Sequence, residues 1–157
     1  MSDPIPVSRA LTALNIPHRE FRHAGPVRSL AQAAAERGQQ PQQIIRSLLF
    51  RLSADNFVMV LMAGPRQIDW KALRRYLGEK RLTTASEEEL RRVTGYERGA
   101  AAPFGLPTPL RILADESVFL PDEVSIGSGV RGTAVILTSE DLRQALGDIE
   151  IVKLGKE

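Results

Sequence analysis

An α+β fold with a mixed sheet is predicted for this chain from three features of its sequence. Its strand-like runs are short and outnumber the helical crossovers that a regular βαβ fold would need. Two of those runs flank a four-residue cluster of turn formers and are therefore expected to be antiparallel neighbours. Finally, no repeat, low-complexity tract or Gly/Ser-rich linker divides the 157 residues, and their 43% apolar content suits one continuous core. Residues 1–157 are accordingly expected to form one domain.

In chain order, residues 8–14 read as a short helix, and residues 18–23 as an extended segment in which Phe21 points inward. Ser29 is a suitable N-cap for a helix over residues 30–37, and Gly38 ends it as the left-handed residue beyond the last turn. Pro41 opens a brief turn. The β-branched and apolar runs 44–52 and 57–63 flank Ser53-Ala54-Asp55-Asn56 and should form a hairpin. Asp69 caps a helix over 70–77 that Gly78 closes, and Ser86 with Glu89 forms a capping box for a helix reaching about Thr94. A loop rich in Gly, Ala and Pro covers 95–109. Strands are expected near 110–114, 123–126 and 133–137, then a helix capped by Thr138 or Ser139 and ending at Leu146, then an edge strand over 149–152.

Composition narrows the function. The longest apolar stretch, 57–63, is too short to span a bilayer, and Met1 to Pro6 has neither a basic start nor an apolar signal core, so an unexported, cytoplasmic protein is expected. With no cysteine, disulfides and thiolate chemistry are excluded. The two histidines, His18 and His23, make a poor metal site, so neither a metal nor a cofactor is expected. The net charge of +2 is mild, but arginine outnumbers lysine 17 to 4. Planar guanidinium forks suit phosphate and carboxylate, whereas a GC-rich genome explains the same bias without a ligand.

Three segments could carry chemistry. Arg46 lies within Ile45-Arg46-Ser47-Leu48-Leu49-Phe50, where strand alternation sets it on the face opposite Ile45 and Ser47; a charge in such a run needs a partner, a cavity or a solvated face. The loop Gly99-Ala100-Ala101-Ala102-Pro103 lets backbone approach a ligand closely, and its N–H groups could hold a developing oxyanion, the plain alternative being a connector. Gly127-Ser128-Gly129-Val130-Arg131-Gly132 places Arg131 near a glycine-rich turn but lacks the phosphate-loop spacings, so a hairpin turn is the simpler reading. Asp115 and Glu116 are strand neighbours that point apart and form no carboxylate dyad, and His23 shows no supporting triad.

Taken in order, these segments resemble the YbaK/EbsC/ProX family, which includes the editing domain inserted in bacterial prolyl-tRNA synthetases. The resemblance covers about residues 8–152. Its anchors are Phe21-Arg22-His23, the strand around Arg46, Ala63-Gly64 with Asp69 and Lys71, Thr94-Gly95-Tyr96, the G-x-x-x-P loop from Gly99 to Pro103, Asp115-Glu116-Ser117, and the turn from Ser128 to Gly132.

The resemblance implies a mixed, partly closed sheet with flanking helices, and metal-independent hydrolysis of the ester of a small mischarged amino acid on tRNA. It implies that Arg46, Gly99 and Ala100 serve catalysis and that Ser47, Ala101, Pro103, Ser128, Gly129 and Arg131 bind substrate. In the same view loop amides hold the carbonyl and a terminal ribose hydroxyl helps activate water. The implied partner is the acceptor end of mischarged tRNA, and an aminoacyl-tRNA synthetase is a second partner it allows; no oligomeric state is implied. Arg46 stands where the family commonly has lysine, and a permanently protonated guanidinium cannot be a general base. Two alternatives therefore stay open: a non-catalytic module that binds the tRNA end, a nucleotide or an amino acid, and a small-molecule regulator.

Overall fold

The computed structural model describes residues 5–157, so the expectation for Met1 to Pro6 falls mostly outside the described residues. Helix α1 (Pro6–Ala13) begins two residues earlier than the sequence suggests, because Pro6 takes the first helical position, where its fixed φ fits and its missing N–H costs nothing. Strand β1 (Arg19–Arg22) follows; its Phe21 is only half-buried, and it packs edge-on against the more deeply buried His23.

Local capping chemistry sets the next helices where the sequence places them. In α2 (Leu30–Arg37) the Ser29 hydroxyl accepts from the Gln32 N–H, and Gly38 closes the helix at φ +70°. In α3 (Trp70–Leu77) the Asp69 carboxylate accepts from the Ala72 N–H. In α4 (Glu87–Thr94) Ser86 and Glu89 form the reciprocal capping box.

Strands β2 (Ile45–Arg51) and β3 (Phe57–Ala63) form the expected hairpin, with Arg46 opposite Met62. The two-residue β4 (Thr83–Thr84), too short to carry a sequence signal, pairs only with the end of β2. On the far side of β3 lie β5 (Arg111–Asp115) and the edge strand β8 (Glu150–Val152), both parallel, which makes this five-stranded sheet mixed. Strands β6 (Glu123–Gly127) and β7 (Thr133–Thr138) join β1 in a second, antiparallel sheet, so the strands divide between two sheets, touching at an Ile44–Ser125 bridge. Thr138 caps the last helix, α5 (Ser139–Leu146). Among the described residues, no helix is long and apolar enough to cross a membrane.

Every residue of β3 after Phe57 is buried, since both faces of the five-stranded sheet are covered. Met59 and Leu61 pack into one cluster with Ile45, Leu49 and Ile126, while Val58, Val60 and Met62 pack into another with Phe50, Ile68 and Leu73. Asp115 fastens the chain end to this sheet, its carboxylate accepting from the Leu154 N–H at 2.7 Å, the Gly155 N–H at 2.9 Å and Ser117. Burial opposes its ionisation, but these donors outweigh burial and hold its pKa below the usual value.

A second clasp joins β8 to β5 and α3. Glu150 accepts two hydrogen bonds from Arg111 and one from the Tyr76 hydroxyl. The Arg111 bonds first, and the Tyr76 bond next, lower its pKa from 4.5 to about 2. A depressed carboxylate stabilises the fold fully above its unfolded value and loses that contribution as pH falls through the folded one. The stabilising share of this clasp should therefore fade between pH 4.5 and about 2. Solvent screening keeps it modest. In thermal melts, Glu150→Gln should show a flatter loss of melting temperature across that window than the parent; identical slopes would remove Glu150 from the acid response.

Candidate functional site

Between the Ile44–Ser125 bridge and the Phe50–Thr84 pair, β2 has no strand across its outer edge. A cavity of about 810 Å³ opens there, walled by β2, α2, the end of β6 and the loop bearing Gly99. Because it wraps around an open strand edge, it reaches side chains on both faces of β2, and Arg46 and Ser47 line it together despite pointing in opposite directions. Five basic residues (Arg28, Arg37, Arg46, Arg98, Lys156) and one acidic residue (Glu87) line it, which favours an anionic ligand.

Arg46 is held by the protein itself. Its Nε–H donates to the Gly64 carbonyl at 2.7 Å and a terminal N–H donates to the Arg66 carbonyl, tying β2 to the turn after β3. The partner and the cavity that such a charge needs are both present, since the backbone supplies acceptors and the cavity takes the remaining surface. Burial lowers its pKa from the ordinary arginine value.

Ser47 is the opposite case. Its Oγ is buried and, among the described residues, is the one buried side-chain polar atom with no hydrogen-bond partner. Left unsatisfied, such a hydroxyl costs about 1–3 kcal/mol, and the cavity that Ser47 lines is where solvent or a polar ligand can meet it.

The G-x-x-x-P loop and the glycine-rich turn are packed backbone to backbone. The Gly129 N–H donates to the Ala100 carbonyl at 2.9 Å, and Gly127 lies under the Ala100 and Ala101 carbonyls with no room for a β-carbon. A β-carbon at Gly129 would meet the Tyr96 ring at 2.8 Å.

Of the residues implied by the resemblance, the cavity wall brings together Arg46, Ser47, Gly99 and Ala101, with Gly127 beside them; Ala100, Pro103, Ser128, Gly129 and Arg131 are not on it. Local bonding explains part of this division. The Ala100 N–H closes a turn on the Glu97 carbonyl at 3.0 Å, so it is not free to receive a substrate oxygen. The Gly99 and Ala101 N–H groups have no acceptor among the described residues. The Ser128 hydroxyl both accepts from and donates to the backbone of Val130, and Arg131 is exposed.

Sequence reasoning missed the neighbours of His23. Its Nδ1 lies 2.7 Å from the Glu36 carboxylate, and its Nε2 accepts from the Arg37 Nε–H at 3.0 Å. An imidazole that accepts at Nε2 must carry its proton on Nδ1 and donate it to Glu36. A guanidinium therefore covers the nitrogen that could have served as a base.

The family profile of the aminoacyl-tRNA editing domain matches residues 24–145, a span that contains Arg46, Ser47, the 99–103 loop and the 127–132 turn. The uncharacterized protein YwhH of Bacillus subtilis is 32% identical over 116 residues, which is 74% of this chain and 73% of that protein. A proline–tRNA ligase of Thermosipho melanesiensis is 32% identical over 100 residues, covering 64% of this chain but only 17% of the ligase. The solved structure of a candidate trans-editing enzyme for prolyl tRNA synthetase superposes with a TM-score of 0.85 at 26% identity, covering 97% of this chain and 96% of that one.

Proposed function

This chain belongs to the aminoacyl-tRNA editing domain family, and we propose that it is a trans-acting deacylase that hydrolyses the ester joining a small mischarged amino acid to the end of tRNA. Ser47 carries this reading, because an unpartnered buried hydroxyl beside two free amides on a cationic cavity wall is a set of hydrogen-bonding groups awaiting a polar substrate. In the proposed reaction, water adds to the ester carbonyl, the negative oxygen is received by the Gly99 and Ala101 N–H groups, and the bond to the ribose oxygen breaks as that oxygen takes a proton. With His23 covered and Arg46 unable to give up its proton, water is activated by the neighbouring ribose hydroxyl of the substrate, as the resemblance implies. The acceptor end of tRNA is the proposed partner, with tRNA identity coming from the acceptor stem or from a synthetase.

A non-catalytic module that holds the tRNA end is the second reading. It is favoured by the engagement of Arg46 with two backbone carbonyls where the family commonly carries lysine.

Ser47→Ala tests the deacylase reading on two axes. Removing an orphan hydroxyl relieves its desolvation cost, so the variant should melt no lower than the parent and up to several degrees higher. Its KM for the best aminoacyl-tRNA should rise by about tenfold, the worth of one lost hydrogen bond to substrate. A variant that melts higher and hydrolyses every substrate like the parent would show that Ser47 touches no ligand.

A further inference from the structure

The editing reading makes no use of Arg37, the last residue of α2. Its guanidinium is half-buried on the cavity wall, and burial lowers its pKa from the ordinary arginine value. Among the described residues it has no carboxylate within ion-pairing distance; the nearest acid in sequence, Glu36, is engaged by His23 instead. Glu36 acts on it only at a distance, through its field, and a half-buried cation without a direct ion pair is costly, since native proteins normally pair one. Its orientation is nonetheless tightly fixed. The Nε–H donates to His23 Nε2 at 3.0 Å and an Nη1–H donates to the buried Ser125 hydroxyl at 2.8 Å. Ser125 in turn donates to the Gln39 side-chain carbonyl at 2.9 Å, and the Gln39 amide donates to Glu123 at 3.2 Å. Every hydrogen in that chain is directed away from Arg37 or accepted from it, so the neutral neighbours position the cation without neutralising it. Two of the five guanidinium N–H groups are occupied in this way, and the others have no acceptor among the described residues.

We infer that Arg37 is an anion-binding residue of the cavity and that its ligand is a phosphate group of a nucleotide. A planar fork held by neutral partners on a wall that also bears Arg28, Arg46 and Lys156 matches the several oxygens of a phosphate better than a single carboxylate, which one cation would satisfy. His23 and Ser125 are positioning residues that act through the guanidinium. The phosphate could belong to the end of an RNA chain or to a free mononucleotide. Only the identity of the ligand rests on the editing reading; phosphate binding is measured separately from ester hydrolysis.

The test is calorimetric titration of the full chain with adenosine, 5′-AMP and the trinucleotide CCA, for the parent, Arg37→Met and Arg37→Lys, alongside thermal melts. In the parent, 5′-AMP should bind about tenfold to a hundredfold more tightly than adenosine, the range expected for charge-assisted hydrogen bonds. That advantage should vanish in Arg37→Met and persist in part in Arg37→Lys. CCA binding more tightly than 5′-AMP assigns the phosphate to an RNA end, and equal binding assigns it to a mononucleotide; either supports the site. Equal binding of adenosine and 5′-AMP by the parent, a comparison that needs no variant, would overturn the inference, as would an unchanged 5′-AMP advantage in a folded Arg37→Met. Deacylation that survives either of those results leaves the editing reading standing and removes only Arg37 from it.

Discussion

Gly127→Ala is expected to lower hydrolysis of the best aminoacyl-tRNA by more than about a hundredfold while the protein still folds. The added methyl would press on the Ala101 carbonyl closer than any real β-carbon contact and meet the Ala100 carbonyl oxygen at 2.8 Å. Backbone cannot rotate away as a flexible side chain can, so β6 and the 99–103 loop must separate, carrying the Gly99 and Ala101 amides off the cavity wall. Overpacking of this kind costs about 1–3 kcal/mol, several degrees of melting temperature in a chain of this size. Gly25→Ala is the matched control, because nothing lies within 4 Å of a β-carbon there, and both its melting and its activity should stay near the parent's. Parental hydrolysis by a folded Gly127→Ala would mean that the loop and the turn do not build the site.

The second large effect is expected at Gly99, for a different reason. Nothing within 4 Å would obstruct a β-carbon, but the residue sits at φ +87°, where a β-branched side chain is strained. Gly99→Val should relieve that strain by moving the peptide and misdirecting its N–H. Losing one oxyanion donor lowers kcat by about a hundredfold to a thousandfold, with little change in tRNA affinity because the bond strengthens as charge develops. Gly78→Val, at φ +69° in equally open space beyond α3, imposes similar strain away from the cavity and should lower the melting temperature without lowering kcat. Equal losses of kcat in both variants would reduce the Gly99 effect to destabilisation.

The parts of this molecule that sequence reveals are those whose partners are close in the chain. Ser29, Asp69 and Ser86 cap helices by bonding three residues ahead, and Gly38 and Gly78 end them, so the helices are legible in order and nearly to the residue. Distant partners stay hidden. Asp115 looks like half of an unpromising dyad until the chain end, 39 and 40 residues away, arrives at its carboxylate. Gly127 reads as part of a hairpin turn, and only the approach of the 99–103 loop gives it a reason to be glycine. Arg37 is, in the sequence, only the last residue of the helix expected over 30–37, whereas its fixed geometry comes from His23 and from Ser125, 88 residues away. The strand around Arg46 was legible as a strand and as a candidate site wall, but the carbonyls of Gly64 and Arg66 that hold its guanidinium lie on a turn whose direction alternation cannot give.

The most direct measurement of the proposed activity is a deacylation panel. Purified protein is mixed in turn with tRNAs carrying correct and incorrect small amino acids, the ester remaining is followed in time, and binding of the same tRNAs is measured in parallel. An editing deacylase should release at least one small mischarged amino acid well above the rate of spontaneous hydrolysis and spare the correctly charged counterpart. Spontaneous rates for every ester in the panel, alongside intact tRNA binding, would contradict the deacylase reading and establish the binding module in its place.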